Sequence, residues 1–176
     1  MSAPKIGRAY SDRSVGELTD YKQSIGHELR VHVYALMNAK FIIAPLNGSG
    51  GAYFQIREVT VLPFDIDDDT LGRCICDNLL WHHTTIPTPF DGRKSEWPVF
   101  KASGLKAVKH FEQSAVWSSV ATLNTVLEIE TRPLHTLAIN LYAGARMSAA
   151  SLHIEIAAEL RNTLKAVSIL QGTDLM

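Results

Sequence analysis

Residues 51–81, GAYFQIREVTVLPFDIDDDTLGRCICDNLLW, join the longest strand-like run of the chain to its densest cluster of acids and then to a helix. Over residues 53–62, β-branched and aromatic side chains dominate. Tyr53, Val59 and Val61 fall on one face, and Phe54, Ile56, Thr60 and Leu62 on the other. Apolar residues on both faces predict a strand inside a sheet rather than at its edge. Pro63 lacks the N–H that a sheet ladder needs and ends the strand. Asp65, Asp67, Asp68 and Asp69 come next, where carboxylates cap a helix N-terminus and complement the positive end of its dipole. Leu71, Ile75, Asn78 and Leu79 then recur at helical spacing, which predicts a helix over residues 69–81 with one inward stripe.

Four acids within five positions exceed what one cap requires. A solvated, acid-biased helix start is one reading and a docking patch for a basic partner is the other. A calcium loop is excluded, because that pattern needs Gly at its sixth position and Glu at its twelfth: Thr70 is sixth counted from Asp65, and Asn78 is twelfth counted from Asp67.

The elements around this stretch predict an α+β fold. Ser14 opens a capping box with Glu17, so a first helix is expected over residues 15–25, after an irregular segment over residues 1–13. Residues 30–37 and 40–46 read as a hairpin around Asn38 and Ala39. The run Asn47-Gly48-Ser49-Gly50-Gly51 leads into a strand. It is a hairpin turn rather than a phosphate loop, which would open a helix. Residues 82–98 carry three prolines and no period and form a long connection. A helix is expected over residues 104–112 on the spacing of Leu105, Val108 and Phe111. Strands are expected over 115–123, 126–131 and 134–142, with a turn at Arg132 and Pro133. Leu152, Ile156, Leu160, Leu164 and Val167 line up on a last helix over residues 149–170, with Gly172 beyond its end. The sum is a single layered α+β domain over residues 14–172, an antiparallel sheet of about six strands packed with three or four helices.

At 176 residues and 46% hydrophobic content, such a domain buries a core without disulfides or metals. A net charge of -1 excludes a nucleic-acid binder that works by bulk charge. With no run of 18 apolar residues and no apolar signal core near the start, the expected location is the cytoplasm and no membrane contact is expected. Cys74 and Cys76 sit on opposite faces of the expected helix, so they can neither pair nor share a metal.

No catalytic motif occurs: neither a G-x-S-x-G elbow nor an H-E-x-x-H helix is present. His27, His32, His110, His135 and His153 are scattered over separate elements and read as packed or surface residues. His82 and His83 lie together, but no second ligand pair accompanies them, so no metal site and no cofactor is expected. They support the alternative of a small hydrolase or ligand-binding domain. Lys101, Lys106 and Lys109 support a third reading, an RNA-binding module. Trp81, Trp97 and Trp117 read as core or core-edge residues. Trp97, next to Pro98, is also a candidate interface anchor.

Three segments carry a family resemblance: GRAYSDRSVGELTDY, then KFIIAPLNGSGGAYFQIREVTVLPFDIDDDTLGRCICDNLLW, then EWPVFKASGLKAVKHFE. Over residues 7–112 the chain resembles the immunity proteins of bacterial contact-dependent growth inhibition systems. The resemblance implies a non-enzymatic cytoplasmic protein that binds the toxic C-terminal domain of a cognate secreted effector, often a nuclease. It brings no catalytic residues with it. Joined to the acidic cluster, it makes a basic nuclease domain the expected partner. Asp65, Asp67, Asp68, Asp69 and Asp77 would then form the binding surface, with Trp97 as an anchor.

Overall fold

The alternation of residues 30–36 sends Val31, Val33 and Ala35 to one side of a strand and Tyr34 and Leu36 to the other. In the computed structural model this strand is β1 (Arg30–Leu36), at the middle of the sheet. The structure describes residues 28–36, 39–49, 52–56, 58–81, 93–123, 125–135, 141–148 and 151–171. The expected first helix over 15–25, the His82–His83 pair and Gly172 lie outside the described residues.

β1 pairs antiparallel with β2 (Lys40–Ser49) as the expected hairpin, and on its other side with β5 (Ala115–Leu123). β5 continues into β6 (Val126–Pro133) and β7 (Ala143–Ser148) as an antiparallel meander. With β3 (Ala52–Gln55) the sheet order is β3-β2-β1-β5-β6-β7, and a further short strand, β4 (Thr60–Pro63), also pairs with β2. Among the described residues four α-helices pack with it: α1 (Asp68–Leu80), α2 (Pro98–Ser103), α3 (Val108–Ser114) and α4 (His153–Gln171). The α+β expectation and the strand and helix counts are met.

The run over residues 53–62 is not one central strand. It forms β3 (Ala52–Gln55) and β4 (Thr60–Pro63), both on the outer side of β2. The cause lies in β2. Pro45 accepts from the Ile56 N–H at 3.1 Å but has no N–H to give back, so the ladder breaks opposite it. Leu46 then pairs with Gln55 and Ile43 with Thr60, so that two residues of β2 face four of the outer chain. Tyr53 and Val61, counted as evidence for a central strand, are 40% and 47% exposed.

Two core clusters sit on the two faces of the sheet. On the inner face Val31, Val33, Phe41, Ile43, Val120, Leu127 and Ile129 meet Leu71, Ile75 and Leu79 of α1 and Ile156, Leu160, Leu164 and Val167 of α4. Both helical stripes expected from the spacing are therefore core, except Leu152. Leu152 precedes α4 and is 55% exposed. Its N–H bonds the Glu155 carboxylate at 2.8 Å, the reciprocal half of a capping box, so it caps the helix rather than lining it. A hydroxyl chain crosses this core: Ser118 to Thr131 at 2.8 Å, Thr131 to Thr163 at 2.8 Å, and Thr163 Oγ1 to the Leu160 carbonyl at 2.8 Å.

On the outer face Tyr34, Leu36, Ile42, Ala44 and Ala115 meet Val99 and Phe111, so α2 and α3 cover the β2–β1 side. The helix expected over 104–112 is α3, which starts four residues later at Val108, and α2 precedes it as a helix that was not expected. Pro98 starts α2 at its first position, and Gly104, at φ 75°, closes it in the left-handed conformation. Of the strand expected over 134–142, residues 136–140 lie outside the described residues, and the described ends, 134–135 and 141–142, are not strand. β6 runs on through Pro133, which is tolerated at a strand end, and the partner strand is β7. The half-buried side of β7 is Ala143, Ala145 and Met147, and the two alanines, of weak strand propensity, leave little periodic signal.

Candidate partner-binding surface

The link from β4 to α1 carries the acidic cluster, and its first task is local. Asp67 is the N-cap of α1: its carboxylate accepts from the Thr70 N–H at 2.8 Å and from the Thr70 hydroxyl at 2.8 Å. These bonds stabilise the charged form and hold the Asp67 pKa below its ordinary value. Asp69 accepts from Arg73 Nε at 2.8 Å, one turn on, and from His153 Nε2 at 2.6 Å across the helix pair. Arg73 first, then His153, push its pKa down to about 2. Asp68 accepts from Arg161 Nε at 2.7 Å.

Arg161, from the middle of α4, closes a bracket over this link. Its other nitrogens donate to the Phe64 carbonyl at 3.2 Å and to the Ile66 carbonyl. Its guanidinium lies 5.2 Å from the Phe41 ring centroid, and Phe41 stacks on Phe64 at 4.9 Å. Gly72 lets the two helices approach: a Cβ there would lie 1.9 Å from the His153 carbonyl oxygen. Nothing in the sequence near Asp68 signals Arg161, His153 or the need for Gly72, because these contacts span 81 to 97 positions.

The expected surface residues thus divide. Asp65 and Asp67 are exposed, while Asp68 and Asp69 are half-buried and engaged with α4 and Arg73. Asp77 lies three turns along α1 from the cap and is half-buried. Trp97 is the residue before α2, half-buried against the outer core cluster, with Lys94 Nζ 5.7 Å from its ring centroid. Trp97 and the acidic link belong to different faces of the sheet. The exposed lysines Lys101, Lys106 and Lys109 sit around α2 and α3, and Lys101 pairs with Glu96.

The described histidines do not converge. His153 pairs with Asp69, His110 is exposed, and His32 lies on the outer face. Burial first, then Arg30 and Arg132, hold the His32 pKa down at about 3, so its ring is neutral at physiological pH. Among the described residues no group of three or more His, Cys, Asp or Glu side chains could hold a metal ion. Cys74 and Cys76 are free thiols, and burial pushes Cys74 up. No helix of the described residues is long and apolar enough to cross a membrane.

A second charged surface was not marked by the sequence. Among the described residues no helix packs on the outer face of β6 and β7, and Glu130, Arg132, Gly144, Arg146 and Ser148 alternate outward along it, exposed. Arg132, read as a turn residue, is in β6 with its guanidinium 4.4 Å from the Trp117 ring centroid.

These features define a class: an antiparallel sheet backed by helices on one face and half-covered on the other, with charged exposed surface on both sides. No family model matches the chain, and no curated protein does. Solved structures share the fold. One is a protein of unknown function from Neisseria meningitidis, with TM-score 0.61 and 20% identity over 79% of this chain and 94% of that one. Another is a chain of the CdiA-CT/CdiI toxin and immunity complex from Yersinia pseudotuberculosis, with TM-score 0.60 and 12% identity over 80% of this chain and 97% of that one. At these identities the likeness is one of fold.

Proposed function

We propose that this chain is an immunity protein of the contact-dependent growth inhibition type, which binds the toxic C-terminal domain of a cognate effector and neutralises it without catalysis. The observation that carries this reading is the fold shared, over four-fifths of the chain, with a chain of a toxin and immunity complex. The sequence resemblance over residues 7–112 points the same way.

The partner is a basic domain, such as a nuclease whose groove binds phosphate, and the binder acts in the cytoplasm. The rim formed by Asp65, Asp67 and the outer edges of Asp68, Asp69 and Asp77 steers it, and Trp97 adds an apolar anchor. Long-range attraction between such surfaces raises association rates and weakens with salt. Asp65 is the cleanest probe, because its carboxylate takes no part in the bracket around Arg161. Asp68→Lys would instead break that bracket and report on folding.

The test is protection. A candidate toxin domain, taken from the C-terminus of any large exported protein encoded beside this chain, is induced in a host with and without the chain. Restored growth supports the reading, and unrelieved toxicity at matched expression refutes it. Asp65→Lys with Asp67→Asn is expected to slow association severalfold and to flatten its salt dependence. An unchanged rate would remove the acidic rim from the interface.

A further inference from the structure

The outer sheet face at β6 and β7, exposed among the described residues, has an ordered charge pattern. Reading across four strands, one rank runs Gly144, Glu130, Ser119, His32 and the next runs Arg132, Trp117, Tyr34. Gly144 and Ser119 are low on either side of Glu130, and a Cβ on Gly144 would meet only the Ile129 carbonyl, at 3.6 Å. Glu130 therefore stands in a trough. One wall is Trp117 with Arg132 laid over its ring, and the other is the Arg146–Glu128 pair at 2.9 Å.

The charges around this trough are matched internally. Glu128 is held by Arg146, and Arg30 is held by Glu28 at 2.8 Å and by Ser119 at 3.0 Å. Glu130 and Arg132 differ. Both are exposed, and no ion pair or hydrogen bond joins either side chain to another described residue. They are two positions apart on one strand face, which spaces them by about 7 Å. Arg132 is already oriented by its stack on Trp117, so its forked donors lose little freedom on meeting a carboxylate.

We propose that this trough is a docking site for a protein segment that presents a carboxylate to Arg132 and a cation to Glu130 at matching spacing. Trp and Arg are the residue types that most often carry binding energy at protein interfaces. The acids Glu130 and Glu128 argue against nucleic acid as the occupant, since a phosphate chain would meet them as like charges. The inference rests on the reading of this chain as a binder of another protein, and it places a second contact on the sheet face, apart from the acidic rim.

The test uses the full chain labelled with ¹⁵N and follows the Trp117 indole N–H and the Arg132 Nε–H by NMR. The probes are a capped peptide with glutamate and lysine two residues apart, a diglutamate peptide of equal length, and inorganic phosphate. The glutamate–lysine peptide should give saturable shifts at both groups and bind tightest. Arg132→Ala should weaken it at least fivefold, Arg132→Lys less, each with an unchanged thermal midpoint. Glu130→Gln should weaken the glutamate–lysine peptide and favour diglutamate. No saturable shift, equal affinity in Arg132→Ala, or tightest binding of phosphate would each overturn the site. Shifts that grow with protein concentration alone would seat a second copy there and overturn it too. Toxin protection does not enter these readouts, so the site can fail while the immunity reading stands.

Discussion

Single residues in this protein are judged by whether a neighbour has been built to meet them. Arg161 reaches one carboxylate, two carbonyls and two aromatic rings, all but the Phe41 ring of β2 within the link that starts α1. Removing it strands those acceptors half-buried. Arg161→Ala should cost about 2–3 kcal/mol in urea denaturation, or roughly 4–12 °C in Tm for a domain this size. A loss under about 0.5 kcal/mol, the scale of an ordinary surface change, would show that the bracket is idle. Gly72 gives a sharper contrast. On helix propensity alone, Ala would stabilise by about 1 kcal/mol, yet a Cβ would strike the His153 carbonyl. Gly72→Ala should therefore destabilise, by at least about 1–3 kcal/mol. Stabilisation would mean that α1 and α4 are not in this contact. His32 is expected to stay neutral, so its ring resonances should not titrate between pH 5 and 8. A midpoint near the ordinary histidine value would contradict its burial between Arg30 and Arg132.

At the scale of elements, the α1–α4 pair and the hydroxyl chain behave as units. Asp67 and Asp69 have folded pKa values below the unfolded carboxylate value of about 3.9. The stability they contribute is then complete above about pH 4 and is lost as pH falls toward about 2. The urea midpoint should drop over that window, and Asp69→Asn should flatten the drop; an identical profile would remove Asp69 from the linkage. Thr131→Val leaves Ser118 and Thr163 each short of a buried partner and should cost about 1–3 kcal/mol, whereas replacing all three hydroxyls with apolar groups should cost less. Stability of the triple variant at or below that of the single would contradict a coupled chain.

What could be read from the sequence follows the range of the cause. The cap at Asp67, the stripe of Leu71, Ile75 and Leu79 and the hairpin of β1 and β2 are set within a few positions, and they stand as expected. The split of residues 53–62 depends on Pro45, a residue of the neighbouring strand, so no window on 53–62 alone could show it. The two-helix arrangement after Trp97 was signalled by Pro98 and Gly104, whose stop-and-start chemistry outweighs the spacing of Leu105, Val108 and Phe111. Among the candidate site residues, the acids were visible as a cluster. Their engagement by Arg161 and His153 was not, since it comes from a helix over 80 positions away.

On the scale of the whole molecule, helices cover the inner sheet face, while among the described residues α2 and α3 do not reach the exposed outer face of β6 and β7. The acidic rim borders one layer and the Arg132–Trp117 stack lies on the opposite side, so a partner engaging both would wrap around an edge of the sheet. The fold is shared with a chain of a toxin and immunity complex, and the central claim is that this molecule works by covering another protein. Titration calorimetry of the full chain against candidate toxin domains, first among them the C-terminal domain of any large exported protein encoded beside it, tests that claim most directly. The expected result is a one-to-one complex with Kd on the order of 10⁻⁷ M or tighter, weakening as salt is raised. The absence of any heat or complex at about 10 µM of each protein, both shown to be folded, would contradict it.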